Sequence, residues 1–496
     1  MAKESIASDL ILPPRSGRET TSHWLREGIR RKILDGHLPP GTRLPSTREI
    51  AKLHDVARGT AVLVVDQLRM EGYLESVQGS GTYVSRSIPD GLLRVAGCPQ
   101  HRSAEEQKEF PLSQYARRVK PFSYFVEPKS LAFRTNLPAL DLFPTTLWAQ
   151  VVSRRIRAAP TSMLLGCTAN GYLPLRTSIA EHLRTARGVV CDPEQIVVTS
   201  GVQEGLELTA RLLLNQEDIV LAEDPGFQGA YAAFAAVGAH VVPVRLDAEG
   251  FLPEHGALRR ARLMYVTPAH QFPTGVTMSL KRRMELLEWA REAGAVIFED
   301  DYDSDFRYSG RPVSAILGLD KHESVILAGS FNKSMFPALR LGYLVLPPRL
   351  VDTFIGAKAI STRHHPLLEQ AAMHDFLSEG HFGTHIRRMR RIYAERLQCL
   401  MQQVRTHIGD ALRLSAIEAG LQTVGYLGHG PGAEEVAAEA AKRKIDTVPL
   451  VRYTHVASHG ANALQIGFAA VNEDAICHGV RELAAAIEVA GKRARG

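Results

Sequence analysis

The apolar positions near the N-terminus recur at helical spacing in three short runs. Leu25, Ile29 and Ile33 repeat at every fourth residue, which places them on one helix face. Gly36 stops that run, and Pro39-Pro40-Gly41 makes a turn. Ser46-Thr47-Arg48-Glu49 opens a second helix as a capping box, with Ile50 and Leu53 as its expected buried face. After a turn at His54-Asp55, a third helix runs to about Glu71 with Ala61, Val64, Val65 and Leu68 on one stripe, and Gly72 ends it. The period then changes to two. Leu74–Val77 and Thr82–Ser85, joined through Gln78-Gly79-Ser80-Gly81, predict a small β-hairpin.

Residues 1–20 are polar, contain Pro13-Pro14, and read as a flexible leader before a first domain at 21–86. Periodicity is lost over 87–129, where Pro89-Asp90-Gly91 and a charged run predict a linker with a helix inside it. A third texture fills 130–490. The β-branched runs Ile196–Thr199, Ile219–Ala222, Met264–Thr267, Ala295–Glu299, Val325–Ala328 and Tyr343–Leu346 alternate with helical stretches. That order predicts an open α/β sheet of parallel strands with crossover helices, followed by a smaller α+β portion. Ligands of such sheets collect at the carboxyl ends of the strands.

Composition changes this picture little. At 45% hydrophobic and 23% charged residues the chain is of ordinary globular type, and 496 residues suit two or three domains. The absence of an apolar run of membrane-spanning length argues against a bilayer partner, and five scattered cysteines without a C-x-x-C pair suit a reducing cytoplasm. Charge is more informative. Residues 15–86 hold 12 Lys/Arg against 8 Asp/Glu, so this short stretch carries +4 of the total +6. A basic module beside a nearly neutral remainder points to a polyanionic partner.

Three short helices and a hairpin, with a tight turn before the third helix, describe a winged helix-turn-helix. Its third helix would enter the major groove of double-stranded DNA with Arg58 and Thr60 at its leading end. Arginine suits guanine or phosphate because its planar fork donates two hydrogen bonds. The start of the second helix, near Ser46 and Arg48, suits a backbone phosphate. The stretch LPSTREIAKLHDVARGTAVLVVDQLRMEGYLESVQGSGTYV resembles the DNA-binding head of the GntR family. That resemblance implies DNA contacts at Arg48, Arg58, Thr60, Gln78 and Gly79. Ala61-Val62-Leu63 departs from it, since the family usually shows another polar or basic residue after the threonine.

In the larger region, four segments suit one cofactor chemistry. Gly329-Ser330-Phe331-Asn332-Lys333 sets a lysine in a turn of small residues after a strand, with Arg340 following. Glu299-Asp300-Asp301-Tyr302 also follows a strand. Thr199-Ser200-Gly201-Val202-Gln203 closes a strand and opens a helix, so its amides suit a phosphate. Asp224-Pro225-Gly226-Phe227 adds an aromatic ring. Pyridoxal phosphate needs this set: an amine, a carboxylate, a phosphate cradle and a flat contact. The alternate Asp300, Asp301, Asp303 and Asp305 lack the glycine and distal glutamate of a calcium loop, so no metal is expected.

The order and spacing of these segments resemble fold-type I aminotransferases over 130–490. Together with the head, and with the wording YVTPAHQFPTG and FEDDYDSDFRYSGRP, they resemble the MocR/GabR subfamily of GntR regulators. The resemblance implies an internal aldimine at Lys333, Asp300 on the ring nitrogen, Tyr302 on the ring hydroxyl and Phe227 against the ring. It further implies that Ser330, Arg340 and the amides of Gly201, Val202 and Gln203 hold the phosphate. A head-to-tail homodimer would follow. So would regulation by a small amine or amino acid effector that exchanges with Lys333.

Two departures bear on the ligand. Aminotransferases commonly place a carboxylate-binding arginine where this chain has Gln465, and Arg452 is a candidate substitute. Gly166 falls where a phosphate-binding tyrosine is usual. Both favour sensing over turnover. The alternatives are an active aminotransferase with an accessory DNA head, and a DNA-binding protein with an inert C-terminal domain.

Overall fold

The computed structural model describes residues 10–15, 19–77, 80–86, 110–119, 132–252, 260–309, 313–428 and 430–495. The chain divides between Phe110 and Pro111 into two compact units. No described helix is long and apolar enough to cross a membrane.

In the first unit, α1 (Thr21–Leu34), α2 (Thr47–Leu53) and α3 (Arg58–Met70) precede the hairpin of β1 (Leu74–Val77) and β2 (Gly81–Val84). The expected stripe is buried: Leu25, Ile29 and Ile33 pack with Ile50, Ala61, Val64, Val65 and Leu68 in one core. The capping box forms in both directions, with Ser46 N donating to Glu49 Oε2 at 2.7 Å and Glu49 N donating to Ser46 Oγ at 3.3 Å. Leu53 differs from expectation: it is 40% exposed, at the end of a helix only seven residues long that packs through Ile50.

The flexible-leader reading needs correction for residues 10–15. Leu10 is fully buried and Leu12 nearly so, both within the core of the head. Leu12 lies so close to α1 that a Cβ at Gly28 would collide with its Cδ1, and Trp24 Nε1 donates to the Pro13 carbonyl at 3.0 Å. Sequence polarity hid this because only two apolar residues dock, between polar residues and prolines. Leu10→Ala is expected to cost the head roughly 2–5 kcal/mol, as truncation of a buried leucine does. Thermal unfolding of the head followed by circular dichroism checks it.

The second unit is built on an eight-stranded sheet. In chain order its strands are β3 (Ile196–Thr199), β4 (Ile219–Asp224), β5 (His240–Asp247), β6 (Gly250–Phe251), β7 (Ala261–Val266), β8 (Val296–Asp301), β9 (Val325–Ser330) and β10 (Gly342–Val345). Their spatial order is β3-β10-β9-β8-β7-β4-β5-β6. The expected all-parallel arrangement is corrected at Tyr343–Leu346, since β10 runs antiparallel to both β3 and β9. Burial on both faces gives β10 the same unbroken apolar texture as a parallel strand, so its direction is not readable from pattern.

Successive residues face opposite layers. Val197, Ile326 and Leu344 pack with Leu206 of α6 (Val202–Leu213), Phe234 of α7 (Gln228–Val237) and Phe354 of α9 (Val351–Ser361). Ile196, Val198, Leu327 and Val345 pack the other way, with Ile179 of α5 (Leu173–Arg187) and Phe376 of α10 (Leu367–Ser378). Helix α4 (Thr145–Arg157) packs beside α10, and α8 (Leu280–Ala293) covers the middle strands. The smaller portion is the sheet β11 (Leu412–Leu414), β12 (Gln422–Leu427), β14 (Ala463–Gly467), β13 (Val448–Pro449) in that spatial order. It packs with α11 (His381–His407), α12 (Ala433–Lys442) and α13 (Glu473–Arg495).

Most of the expected linker lies outside the described residues. Its helix, Gln114–Arg118, belongs to the second unit, where Arg118 Nη1 donates to the Val237 carbonyl at 3.2 Å.

Candidate functional site: a cofactor pocket at one edge of the large sheet

The segments picked out in the sequence meet because of strand direction. β3, β4, β8 and β9 all end at one edge, delivering Ser200-Gly201, Asp224–Phe227, Asp300–Tyr302 and Ser330–Lys333. β10 runs the opposite way, so its beginning falls at that same edge. Gly342 is in register with both Thr199 and Ser330, and Arg340, two residues earlier, enters between those loops.

Gly201 has a φ of 132°, and a Cβ there would stand 3.1 Å from Asn332 Nδ2 and 3.9 Å from Arg340 Nη1. Amide donors, a side-chain amide and a guanidinium thus converge on a space that a side chain at 201 would fill. Gly201 caps α6 without a side-chain partner, leaving the amides of Val202 and Gln203 at the positive end of the helix. Ser330 Oγ accepts from Asn332 N at 3.1 Å and braces the turn. This is an anion cradle of phosphate type.

Asp300 is buried, and its Oδ2 accepts from Tyr265 Oη at 2.7 Å while its Oδ1 has no partner. Burial, with neighbouring carboxylates adding to it, pushes its pKa up to about 7. A lone acceptor on such a carboxyl asks for a ligand N–H. Lys333 Nζ donates to the carbonyl of Asn136, and burial lowers its pKa to about 8 against the opposing pull of Asp303 and Asp300. Tyr302 Oη lies 3.1 Å from His270 Nδ1, which lies 2.8 Å from Asp303 Oδ2. When His270 donates that proton to Asp303, the tyrosine hydroxyl is free to donate into the pocket. Phe227 and Tyr302 both present their rings edge-on to Phe272, at 5.9 and 6.0 Å between centroids.

The remaining carboxylates of the aspartate run are paired: Asp301 with Arg187 at 2.7 Å and Asp305 with His182 at 3.3 Å. Among the described residues no group of three or more metal-type ligands is found.

The structure therefore brings together Lys333, Asp300, Tyr302, Ser330, Arg340, Gly201, Val202, Gln203 and Phe227. Sequence reasoning weighed Asp303 only as a metal ligand, and it missed Asn136, His270 and Asn332. The last stands beside Lys333 and was readable as a polar residue in that turn; Asn136 carries no local signal. Gly166, in the place of the usual tyrosine, has a φ of 105°, and the His364 ring fills the space its side chain would take, with Nε2 2.5 Å from where a Cβ would stand.

In the head, Arg48 and Arg58 are exposed on the first turns of α2 and α3, and Thr60 is half-buried. Val62 and Leu63 are exposed on α3. Gln78 and Gly79 lie outside the described residues. A further basic residue, Arg43, bridges Tyr83 of the wing strand and reaches to Gly81.

Residues 22–84 match the family model of bacterial regulatory proteins, gntR family, and residues 144–483 match that of aminotransferase class I and II. The chain is 37% identical over 470 residues to the probable rhizopine catabolism regulatory protein MocR of Rhizobium meliloti, covering 93% of this chain and 92% of that one. The chain belongs to the MocR subfamily of GntR regulators.

A second regulator of this kind, the pyridoxine biosynthesis regulator PdxR of Corynebacterium glutamicum, is 30% identical over 468 residues, covering 94% of this chain and 95% of that one. Among solved structures, the α-aminoadipate aminotransferase LysN of Thermus thermophilus, complexed with N-(5'-phosphopyridoxyl)-L-leucine, is 29% identical. It superposes with a TM-score of 0.68 over 76% of this chain and 97% of its own. This MocR-type protein is thus a DNA-binding transcription regulator with a fold-type I, pyridoxal phosphate-dependent unit.

One consequence is a pH dependence. An amine must be neutral to react with an aldehyde, so if Lys333 is the residue that takes up the cofactor, a pKa near 8 leaves about a tenth of it ready at pH 7. The rate of cofactor attachment to the apoprotein is expected to rise about tenfold between pH 7 and 9 and then level off. An ordinary lysine would give a rise still continuing at pH 10. Stopped-flow absorbance across that range checks it.

Proposed function

We propose that this regulator senses a small amine or amino acid at Lys333 and converts occupancy into altered binding of an operator by the winged helix. The observation that carries the reading is the buried, unpartnered Oδ1 of Asp300 beside the weakly basic amine of Lys333. That pair matches pyridoxal phosphate, which supplies an aldehyde carbon that one amine at a time can occupy. Asp300 would hold the proton of the ring nitrogen through Oδ1, since Tyr265 already fixes Oδ2. Tyr302 would donate to the ring hydroxyl, Phe227 would cover the ring, and Ser330, Arg340 and the amides of Gly201, Val202 and Gln203 would hold the phosphate.

Lys333 would give up its place at that carbon, as a free amine, to the amine of an arriving effector. Lys333, released, is retained near the carbonyl of Asn136, where the charges of Asp303 and Asp300 favour its protonated form. The effector shifts the regulator only insofar as it binds one arrangement of the protein better than another. Arg58 and Thr60 read the major groove, Arg48 grips phosphate, and Gln78 and Gly79 are the further DNA contacts. A head-to-tail homodimer in the cytoplasm, with two heads on two half-sites, completes the proposal.

The test combines two measurements on the holoprotein, titrated with a panel of primary amines and L-amino acids. Expected is a change in the cofactor's visible band and in the footprint on the upstream promoter at the same half-saturating concentration. Release of an oxo acid with an unchanged footprint would make the protein an aminotransferase with an accessory head. No spectral response to any amine would make the C-terminal unit inert.

A further inference from the structure

We infer that the effector is an amine bearing a hydroxyl, or another neutral hydrogen-bond donor, where an α-amino acid bears its carboxylate, and that Gln465 selects for it. This rests on the proposal that the protein senses amines at Lys333. Gln465 is fully buried on β14. Its register opposite Val424, with Gln422 opposite Gly467, puts Gln422 and Gln465 on the same face of the small sheet. That face is turned to the lysine. Gln422 Oε1 accepts from Asn136 N at 2.7 Å, and the Asn136 carbonyl in turn accepts from Lys333 Nζ. On its other side Gln465 meets the loop carrying Phe272, whose ring is edge-on to Tyr302 and to Tyr453. Gln465 is therefore wedged between the small sheet and the aromatic wall of the pocket.

Its hydrogen bonding is incomplete. Oε1 has no partner, and Nε2 makes only a 3.5 Å contact with the Pro273 carbonyl. A buried, unpaired amide oxygen is costly, and only a donor relieves it. A hydroxyl does so directly, donating to Oε1 while accepting from Nε2. A carboxylate has acceptors only, so it leaves Oε1 unpaired and sets its charge against that oxygen. The cations at hand are committed elsewhere. Arg134 pairs with Asp446 at 3.4 Å, and Arg340 stands at the phosphate cradle beside Gly201. Arg452 is exposed, and its guanidinium is the rival explanation that an experiment must remove.

Serinol (2-amino-1,3-propanediol) and L-serine differ only in a hydroxymethyl group for the carboxylate, and they form the probe pair. Titration of the full-length holoprotein, read by absorbance, is expected to give half-saturation by serinol at a concentration at least about tenfold below that for L-serine. Gln465→Leu should remove the preference, Gln465→Arg should reverse it, and Arg452→Ala should leave it unchanged. Equal or tighter binding of L-serine by the wild-type protein overturns the inference even if no Gln465 variant folds. So does a preference that survives Gln465→Leu or disappears in Arg452→Ala. If the wild-type protein responds to other primary amines but to neither probe, the inference fails and sensing stands. If it responds to no amine at all, the sensing reading itself has failed.

Discussion

Lys333→Ala is expected to abolish covalent attachment of the cofactor and to slow sharply the effect of an amine on the footprint, because the amine must then condense with a free aldehyde; the effector-free protein still binds its operator. The argument is local. Lys333 is the amine placed at the mouth of the sheet edge, between the carboxylates that oppose its deprotonation and the Asn136 carbonyl that holds Nζ. Removing the side chain leaves the cradle at Gly201, Asn332 and Arg340 and the acceptor at Asp300 in place, so the cofactor still binds, but reversibly and with its aldehyde free. Borohydride reduction followed by peptide mass mapping separates the cases: a pyridoxyl adduct on residue 333 of the wild-type chain and none in the variant. The head has its own core and lies in a separate unit, so its fold does not depend on that lysine. An effector response as fast in Lys333→Ala as in the wild-type protein would mean that sensing does not run through exchange with this lysine.

What could be read from sequence was whatever is local. The capping box at Ser46–Glu49, the stripe from Ala61 to Leu68 and the hairpin after it follow from residues within a few positions of one another. Lys333, Asp300 and Gly201 were identifiable because each lies at or just past the end of a strand, and strand ends gather at one edge. The rest was set by contacts across the chain. Asn136 reaches Lys333 from 197 residues away, and nothing in its neighbourhood announces that. His270 acquires its role only through Asp303, which sits past a different strand's end. The direction of β10 escaped because burial on both faces erases the alternation that distinguishes strands. Leu10 and Leu12 escaped because docking of a short arm needs only two side chains, too few to make a period.

Arg58→Ala should weaken the head's affinity for its operator about 5- to 150-fold, the range for loss of one good base contact of about 1–3 kcal/mol. Arg58 is the first residue of α3 and is exposed, and the preceding Ala57 offers no side-chain cap. It therefore projects from the end of the helix that, on the proposed reading, enters the groove first. The following face gives few other base readers: Thr60 is half-buried, and Val62 and Leu63 are exposed apolar side chains suited to thymine methyl groups, not to hydrogen bonds. With polar readout so sparse, one arginine carries a large share of sequence choice. Arg48, exposed on the first turn of α2, serves as the contrast: as the proposed phosphate contact, its removal should weaken all duplexes alike. Fluorescence anisotropy on operator and scrambled duplexes, at two salt concentrations, distinguishes them. For Arg58→Ala the loss should fall mainly on the operator. For Arg48→Ala both duplexes should lose affinity together, with the salt slope reduced by about 1. Equal losses on both duplexes for Arg58→Ala would reassign it to phosphate, and would leave recognition to the wing and to the apolar face of α3.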